Sequence, residues 1–371
     1  MRFNAIAAVM FTAVLCVAAV SDAFAQAHQY PFNGRVQGKF TTNKGVGMVP
    51  KDARTVPNWS SSFTFEGQIF PYTMVGTSPF STTTTTTVQA VIIPIKFVFA
   101  DGTSLDGGSK IANTLGSPNF QPSTYTSSTT PTQFGDAVQR AEFYASVQNN
   151  DWHTMLAAPQ VLPTQVINVP ANQAIDFLDP FTATRTEVAL MSASWFSSKL
   201  HNLIASLHIA PNTLPIVATY NTFLYVHTLD NCCILGFHGA TQSRNGNGRQ
   251  QVQTYIYAAW SDTEIFVTPV KDILPMSHEI SEWMNDPFVN NATPPWEFPG
   301  NLGCQANLET GDPVEVLPNS SFPVTINGFT YHPQTEALLQ WFTRESPSSA
   351  IDGAYSYPDT TALTSPSEPC H

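Results

Sequence analysis

The segment Lys271 to Pro287 reads KDILPMSHEISEWMNDP and brings His278, Glu279 and Glu282 close together. A helix starting at Asp272 or Pro275 puts His278 and Glu282 one turn apart on one face, with Cβ atoms about 5 to 6 Å apart. An imidazole nitrogen and a carboxylate oxygen at that separation can bind one divalent ion. Glu279 stands beside them, able to reach a water on that ion without being a ligand. Its carboxylate can take the proton as the water attacks a carbonyl carbon.

This arrangement resembles the HExxH motif of zincin metallopeptidases, in a variant HExxE form with Glu282 where the second His stands. The likeness covers roughly Ser277 to Asp312. Metzincins, whose pattern is longer, would need Gly at 285 and His at 288, which here are Asn285 and Phe288. The resemblance implies a zinc-dependent hydrolase of peptide bonds, with a third ligand from a distant acid. Leu308-Glu309-Thr310-Gly311-Asp312 offers Glu309 first and Asp312 second, as gluzincins take a Glu from a second helix and aspzincins an Asp after a Gly-Thr element. Zincins also use a Tyr or His from outside the motif to hold the oxyanion, which points to Tyr331 and His332. A carboxylate as second ligand keeps metal binding but weakens Lewis acidity. Asp286, in the helix exit Asn285-Asp286-Pro287, is expected to cap the helix or orient His278.

His238, in Gly236-Phe237-His238-Gly239, is a further candidate, either as an alternative ligand or transition-state stabiliser, or as a buried histidine bonded to backbone. That tetrapeptide, with Tyr255-Ile256-Tyr257 and Asn285-Asp286-Pro287-Phe288, is also similar to the secreted phosphate-induced, Exordium-like proteins of cell walls. This second likeness implies extracellular residence and no particular chemistry.

The elements that must position these residues follow from hydrophobic pattern. Thr82 to Phe99 is dense in β-branched residues and predicts a strand, closed by a turn at Asp101-Gly102. Asp136 to Val147 has helical spacing. Gln165 to Val169 predicts a strand, and Thr186 to Leu207 the longest helix. Strands are expected over Leu214–Thr219, Thr222–His227 and Thr254–Trp260, with Gly236–Gly239 and then a Gly/Asn/Arg/Gln-rich loop between the last two, and the His278 helix beginning near Val270. The fold class is therefore α+β: a β-rich N-terminal region over 26–180, and a zincin-like region over 181–371 whose active-site helix packs on a sheet. Trp283 or Trp296 is expected at the cleft edge, positioning an extended peptide.

Residues 1–25 read as a secretory signal peptide, with an apolar run from Ala5 to Val20 and small residues at Ala23 and Ala25. Four cysteines follow it, Cys232, Cys233, Cys304 and Cys370. An oxidising compartment predicts two disulfides, with the adjacent pair bonding outward because a vicinal bridge strains the backbone. Only 11% of residues are charged, with 15 Lys and Arg against 27 Asp and Glu, and no basic stripe is present to neutralise phosphates. Nucleic acid is excluded as a partner, as is a membrane span in the mature chain. The expected protein is secreted, extracellular or periplasmic, and acts on an extracellular protein or peptide. The competing expectation is a non-catalytic wall- or carbohydrate-binding protein in which the same acids hold a structural Ca2+ or no metal.

Overall fold

The computed structural model describes residues 29–41, 45–127, 129–244, 246–299 and 303–370, so the expected leader lies outside the described residues. After an irregular arm, β1 (Asn58–Phe65) and β2 (Gln68–Val75) form an antiparallel hairpin, turned at Gly67 with φ 81°. β3 (Thr85–Val98) carries the β-branched run, and β4 (Ser104–Asp106) folds back on it. Short α1 (Ile111–Leu115) follows, then α2 (Phe134–Glu142) and α3 (Tyr144–Val147). The helix expected over Asp136–Val147 thus begins two residues earlier and breaks at Phe143. β5 (His153–Leu156), β6 (Gln160–Val161) and β7 (Gln165–Asn168) run parallel along one side of β3 in three pieces.

Beyond β8 (Ala174–Leu178), the long helix expected over Thr186–Leu207 is corrected: β9 (Glu187–Ser192) comes first and α4 (Ala193–Ser206) second. Val188, Ala189, Leu190 and Met191 are all buried, an apolar run enclosed on both faces, which periodicity alone does not separate from a helix. β10 (Thr213–Tyr220) and β11 (Thr222–Tyr225) follow, then β12 (Cys232–Ile234), β13 (Gly236–Arg244) and β14 (Gln250–Trp260). Gly236–Gly239 opens β13, and the strand runs on to Arg244, into the segment expected as a loop, pairing antiparallel with β14. α5 (Leu274–Asn285), β15 (Ala292–Glu297) and β16 (Cys304–Asn307) lead into the C-terminal segments.

The main sheet runs β13-β14-β10-β3-β4, with β5, β6 and β7 on the other side of β3. Its central members are parallel, β3 to β10 and β10 to β14. The sheet therefore crosses the division placed near residue 180, joining strands from both sides of it. A smaller sheet, β12-β11-β9-β8, stands beside it.

Side-chain alternation sorts the two faces of the main sheet. Val91, Ile93, Ile95, Val217, Tyr255 and Tyr257 pack with Phe196, Leu200 and Ile204 of α4. Ala90, Ile92, Leu214, Ile216, Ile256 and Ala258 pack with Met276, Ile280, Trp283 and Met284 of α5. Both tryptophans expected at a cleft edge are instead fully buried. Trp283 donates its indole N–H to Thr254 Oγ1 at 3.0 Å, and Trp296 to the Asn307 carbonyl at 3.0 Å. Their size and apolar area are used to lock α5 and β15 into the core.

The cysteine expectation is half corrected. Two bridges form, but Cys304 joins Cys370 and Cys232 joins Cys233. The reason is spatial: the C-terminal segment lies against β15 through a bridge of Trp296 with Pro369, which brings Cys370 to β16 and leaves the adjacent pair to each other. Among the described residues no helix is long and apolar enough to cross a membrane.

Glu142 ends α2 fully enclosed. Its Oε1 accepts the Leu339 N–H at 3.2 Å while Oε2 has no partner. Burial pushes its pKa well above the ordinary carboxylate value. A folded pKa above the unfolded one means that its favourable contribution is complete below the unfolded pKa and is lost as pH rises through the folded one. Glu142→Gln keeps the acceptor for Leu339 and removes the titration. We expect it to stabilise the protein near pH 8, by about 1.4 kcal/mol for each unit of folded-state shift, and to be neutral near about pH 4. Thermal unfolding at the two pH values checks this, and equal effects at both would refute it.

Candidate metal centre

α5 is buried along its whole length, with two stripes at helical spacing. Met276, Ile280, Trp283 and Met284 face the sheet, while His278, Glu279, Glu282 and Asn285 line a polar chamber. Pro275 in the first turn suits a helix start, where its missing N–H is not needed. Asp272 accepts the Ile273 N–H at 2.6 Å and the His332 N–H at 2.9 Å, tying the chain after β16 to that start. β13 supplies the opposite wall. The two-residue period that turns Phe237 toward α4 turns His238 toward α5, in register with Ile256. Gly236 leaves room there: a Cβ on it would stand 2.8 Å from Glu279 Oε1.

Each histidine has one ring nitrogen committed to an outer acceptor and the other facing carboxylates. His278 Nδ1 stands 3.1 Å from Gln334 Oε1, and Gln334 donates its own amide N–H to the Gly311 carbonyl, which fixes the oxygen toward the imidazole. In the neutral imidazole Nδ1 is then the protonated nitrogen and the Nε2 lone pair faces inward. Nε2 lies 3.0 Å from Glu282 Oε1 and 3.6 Å from Asp312 Oδ1, yet makes no aligned hydrogen bond to either. On the other side, His238 Nε2 donates to the Asp286 carbonyl at 3.1 Å. Its Nδ1 faces Glu279 Oε2 at 3.4 Å and Glu282 Oε2 at 3.5 Å.

The atoms of His278, Glu282 and Asp312 all lie within 4.8 Å of one another, as do those of His238, Glu279 and Glu282. Two ligand atoms each about 2.1 Å from a tetrahedral ion stand about 3.4 Å apart. The observed separations match that edge. His278 Nε2 has no hydrogen-bond partner at these separations, whereas His238 Nδ1 and Glu279 Oε2 also lie in hydrogen-bond geometry with each other. These buried groups can hold a metal ion.

Charge points the same way. Glu279, Glu282, Asp286, Glu309, Asp312 and Glu336 are all buried around His238 and His278. Burial alone would lower both imidazole pKa values, but the surrounding carboxylates, Glu309 foremost for His238 and Glu282 for His278, carry them well above the ordinary value. Burial raises Glu309, Asp312 and Glu336 well above the carboxylate range, and Glu279 to about 7. Glu282 alone is pulled down: burial would raise it, but the two histidines override that. An excess of buried carboxyl groups is costly without a compensating cation, and a divalent ion supplies one.

Among the residues singled out in the sequence, His278, Glu279, Glu282 and Asp312 converge. Glu309 stays on the His238 side, with Oε2 3.9 Å from Nε2 and Oε1 held by the Asn307 amide at 2.8 Å. His332 and Tyr331 lie at the start of α5. His332 Nδ1 pairs with Asp272 Oδ2 at 2.6 Å, and Tyr331 packs with Trp260 and Ile273. Asp286 caps the helix exit, accepting the N–H groups of Asn290 and Asn291 at 2.9 and 3.0 Å.

Gln334, Glu336, Glu315 and Phe40 were not legible as site residues. Phe40 comes from the N-terminal arm and stacks on the His278 ring at 3.5 Å, while its N–H binds Glu315 Oε2 at 3.0 Å. Against the same ring lies Gly311, where a Cβ would stand 2.1 Å from Nδ1. Only a hydrophobic residue in an otherwise polar arm could have hinted at Phe40, and that pattern is too common to read. No family model, curated protein or solved structure matches the chain.

Proposed function

We propose that the chain is an exported, zinc-dependent hydrolase of peptide bonds. The observation that supports this reading is the inward lone pair of His278 Nε2, fully buried, without an aligned hydrogen bond, and flanked by one oxygen each of Glu282 and Asp312. In this reading His278, Glu282 and Asp312 hold the ion, which when bound lowers the pKa of a water and polarises a substrate carbonyl. Glu279 Oε1 has no hydrogen-bond partner and lies 4.0 Å from His278 Nε2, and in this reading it takes the proton of that water. Gln334 keeps the His278 ring oriented, and Gly311 presses it in place. Two carboxylates on the ion lower its Lewis acidity, so slow turnover is expected. Tyr331 and His332 play no part, because their contacts lie at the start of α5. The disulfides and sparse charge support an oxidising, extracytoplasmic location.

One observation favours a second reading, a non-catalytic extracellular protein with a structural ion: the centre is enclosed, with Phe40 stacked on His278. An imidazole nitrogen in the donor set suits a transition ion better than Ca2+. Elemental analysis of the purified protein, followed by casein hydrolysis before chelation, after it, and after zinc is restored, separates the readings. Hydrolysis lost and regained with zinc supports the enzyme. Bound metal without hydrolysis favours the structural ion, and absence of metal removes both.

A further inference from the structure

We infer that the chamber holds two divalent ions, with Glu282 as the carboxylate shared between them; this rests on the metal-centre reading above and deepens it. Glu282 turns Oε1 toward His278 Nε2 at 3.0 Å and Oε2 toward His238 Nδ1 at 3.5 Å, so its two oxygens address two different imidazoles. The second position is formed by His238 Nδ1, Glu279 Oε2 and Glu282 Oε2, with nitrogen-to-oxygen distances of 3.4 and 3.5 Å. Glu279 repeats the pattern, with Oε2 toward His238 and Oε1 4.0 Å from His278 Nε2.

Three features argue that His238 is a ligand and not merely a core histidine. Its outer nitrogen is bound to the Asp286 carbonyl, so the ring is held with Nδ1 inward, within hydrogen-bond distance of Glu279 Oε2 at 3.4 Å, and in the neutral imidazole that nitrogen carries the lone pair. Glu279, whose Oε2 faces Nδ1, keeps its Oε1 buried without a hydrogen-bond partner. And His238 Nδ1, Glu279 Oε2 and Glu282 Oε2 form a second buried donor group with the same spacing as the first. Carboxylate-bridged pairs of ions about 3.5 to 4 Å apart are a known way to activate water for hydrolysis, clamping attacking and leaving oxygens together.

The test is stoichiometry. Metal-free protein loaded with Co2+ and freed of excess is expected to retain two equivalents by elemental analysis. The Mn2+-loaded protein is expected to show an exchange-coupled electron paramagnetic resonance spectrum in place of the isolated-ion pattern. His238→Ala should retain one equivalent and restore the isolated-ion pattern. One equivalent in the unaltered protein, with an isolated-ion spectrum, would overturn the shared-carboxylate pair while leaving the single centre intact; no bound metal would overturn both. The measurements on unaltered protein decide the matter even if His238→Ala does not fold.

Discussion

Glu282→Gln is expected to empty the centre. Glu282 is the one side chain common to both buried groups, and its two oxygens face His278 and His238. Loss of an outer partner of a metal ligand typically costs about 10- to 100-fold in affinity, and loss of a shared anionic ligand should exceed that, beyond about 100-fold. The amide can still accept the Gly311 N–H, which Glu282 Oε1 now does at 3.1 Å, so the loop should stay in place. The variant should therefore fold, lose its metal on dialysis, and lose metal-dependent hydrolysis with it. Retention of metal at unaltered affinity would show that the ion does not sit between these residues.

Phe40→Ala is expected to speed the escape of metal. Around Phe40 the arm is joined to the body by the Lys39 N–H to the Cys233 carbonyl and the Leu235 N–H to the Lys39 carbonyl, with further backbone bonds at Val36, Val46 and Arg54. Phe40 anchors it from inside, stacked on His278 and packed with Phe266, Leu235 and Cys233. Truncating a large buried aromatic weakens such an anchor by about 2 to 3 kcal/mol here, since Phe40 keeps some exposure. If local opening of the arm admits solvent, its population rises by about 30- to 150-fold, and chelator extraction accelerates in proportion. Peptide hydrolysis should rise in the same variant under conditions where it remains folded. An extraction rate equal to that of the unaltered protein would mean that the chamber is entered elsewhere.

The local half of the centre was legible because helical spacing is a property of the backbone. Once Leu274–Asn285 is a helix, His278 and Glu282 must share a face and Glu279 must lie beside them. Glu309 was ranked ahead of Asp312 as the distant acid, but the order depends on how the segment after β16 lies across α5, and it is Asp312 that comes within 3.6 Å of His278 Nε2. His238 was visible as a residue and ambiguous in role. In β13, Gly236 beside it makes space for Glu279.

The strand run of β3 and the helix of the HExxE segment were set by the sequence itself, because propensity and periodicity act over a few residues. Tertiary structure alone decided that β9 is a strand, that the cysteines pair Cys232–Cys233 and Cys304–Cys370, and that Trp283 and Trp296 serve the core. It also decided that Phe40 closes the chamber and that two histidines 40 residues apart look at one carboxylate. Each of these depends on which segments the sheet brings together, and contacts between residues far apart in sequence leave no periodic trace along the chain.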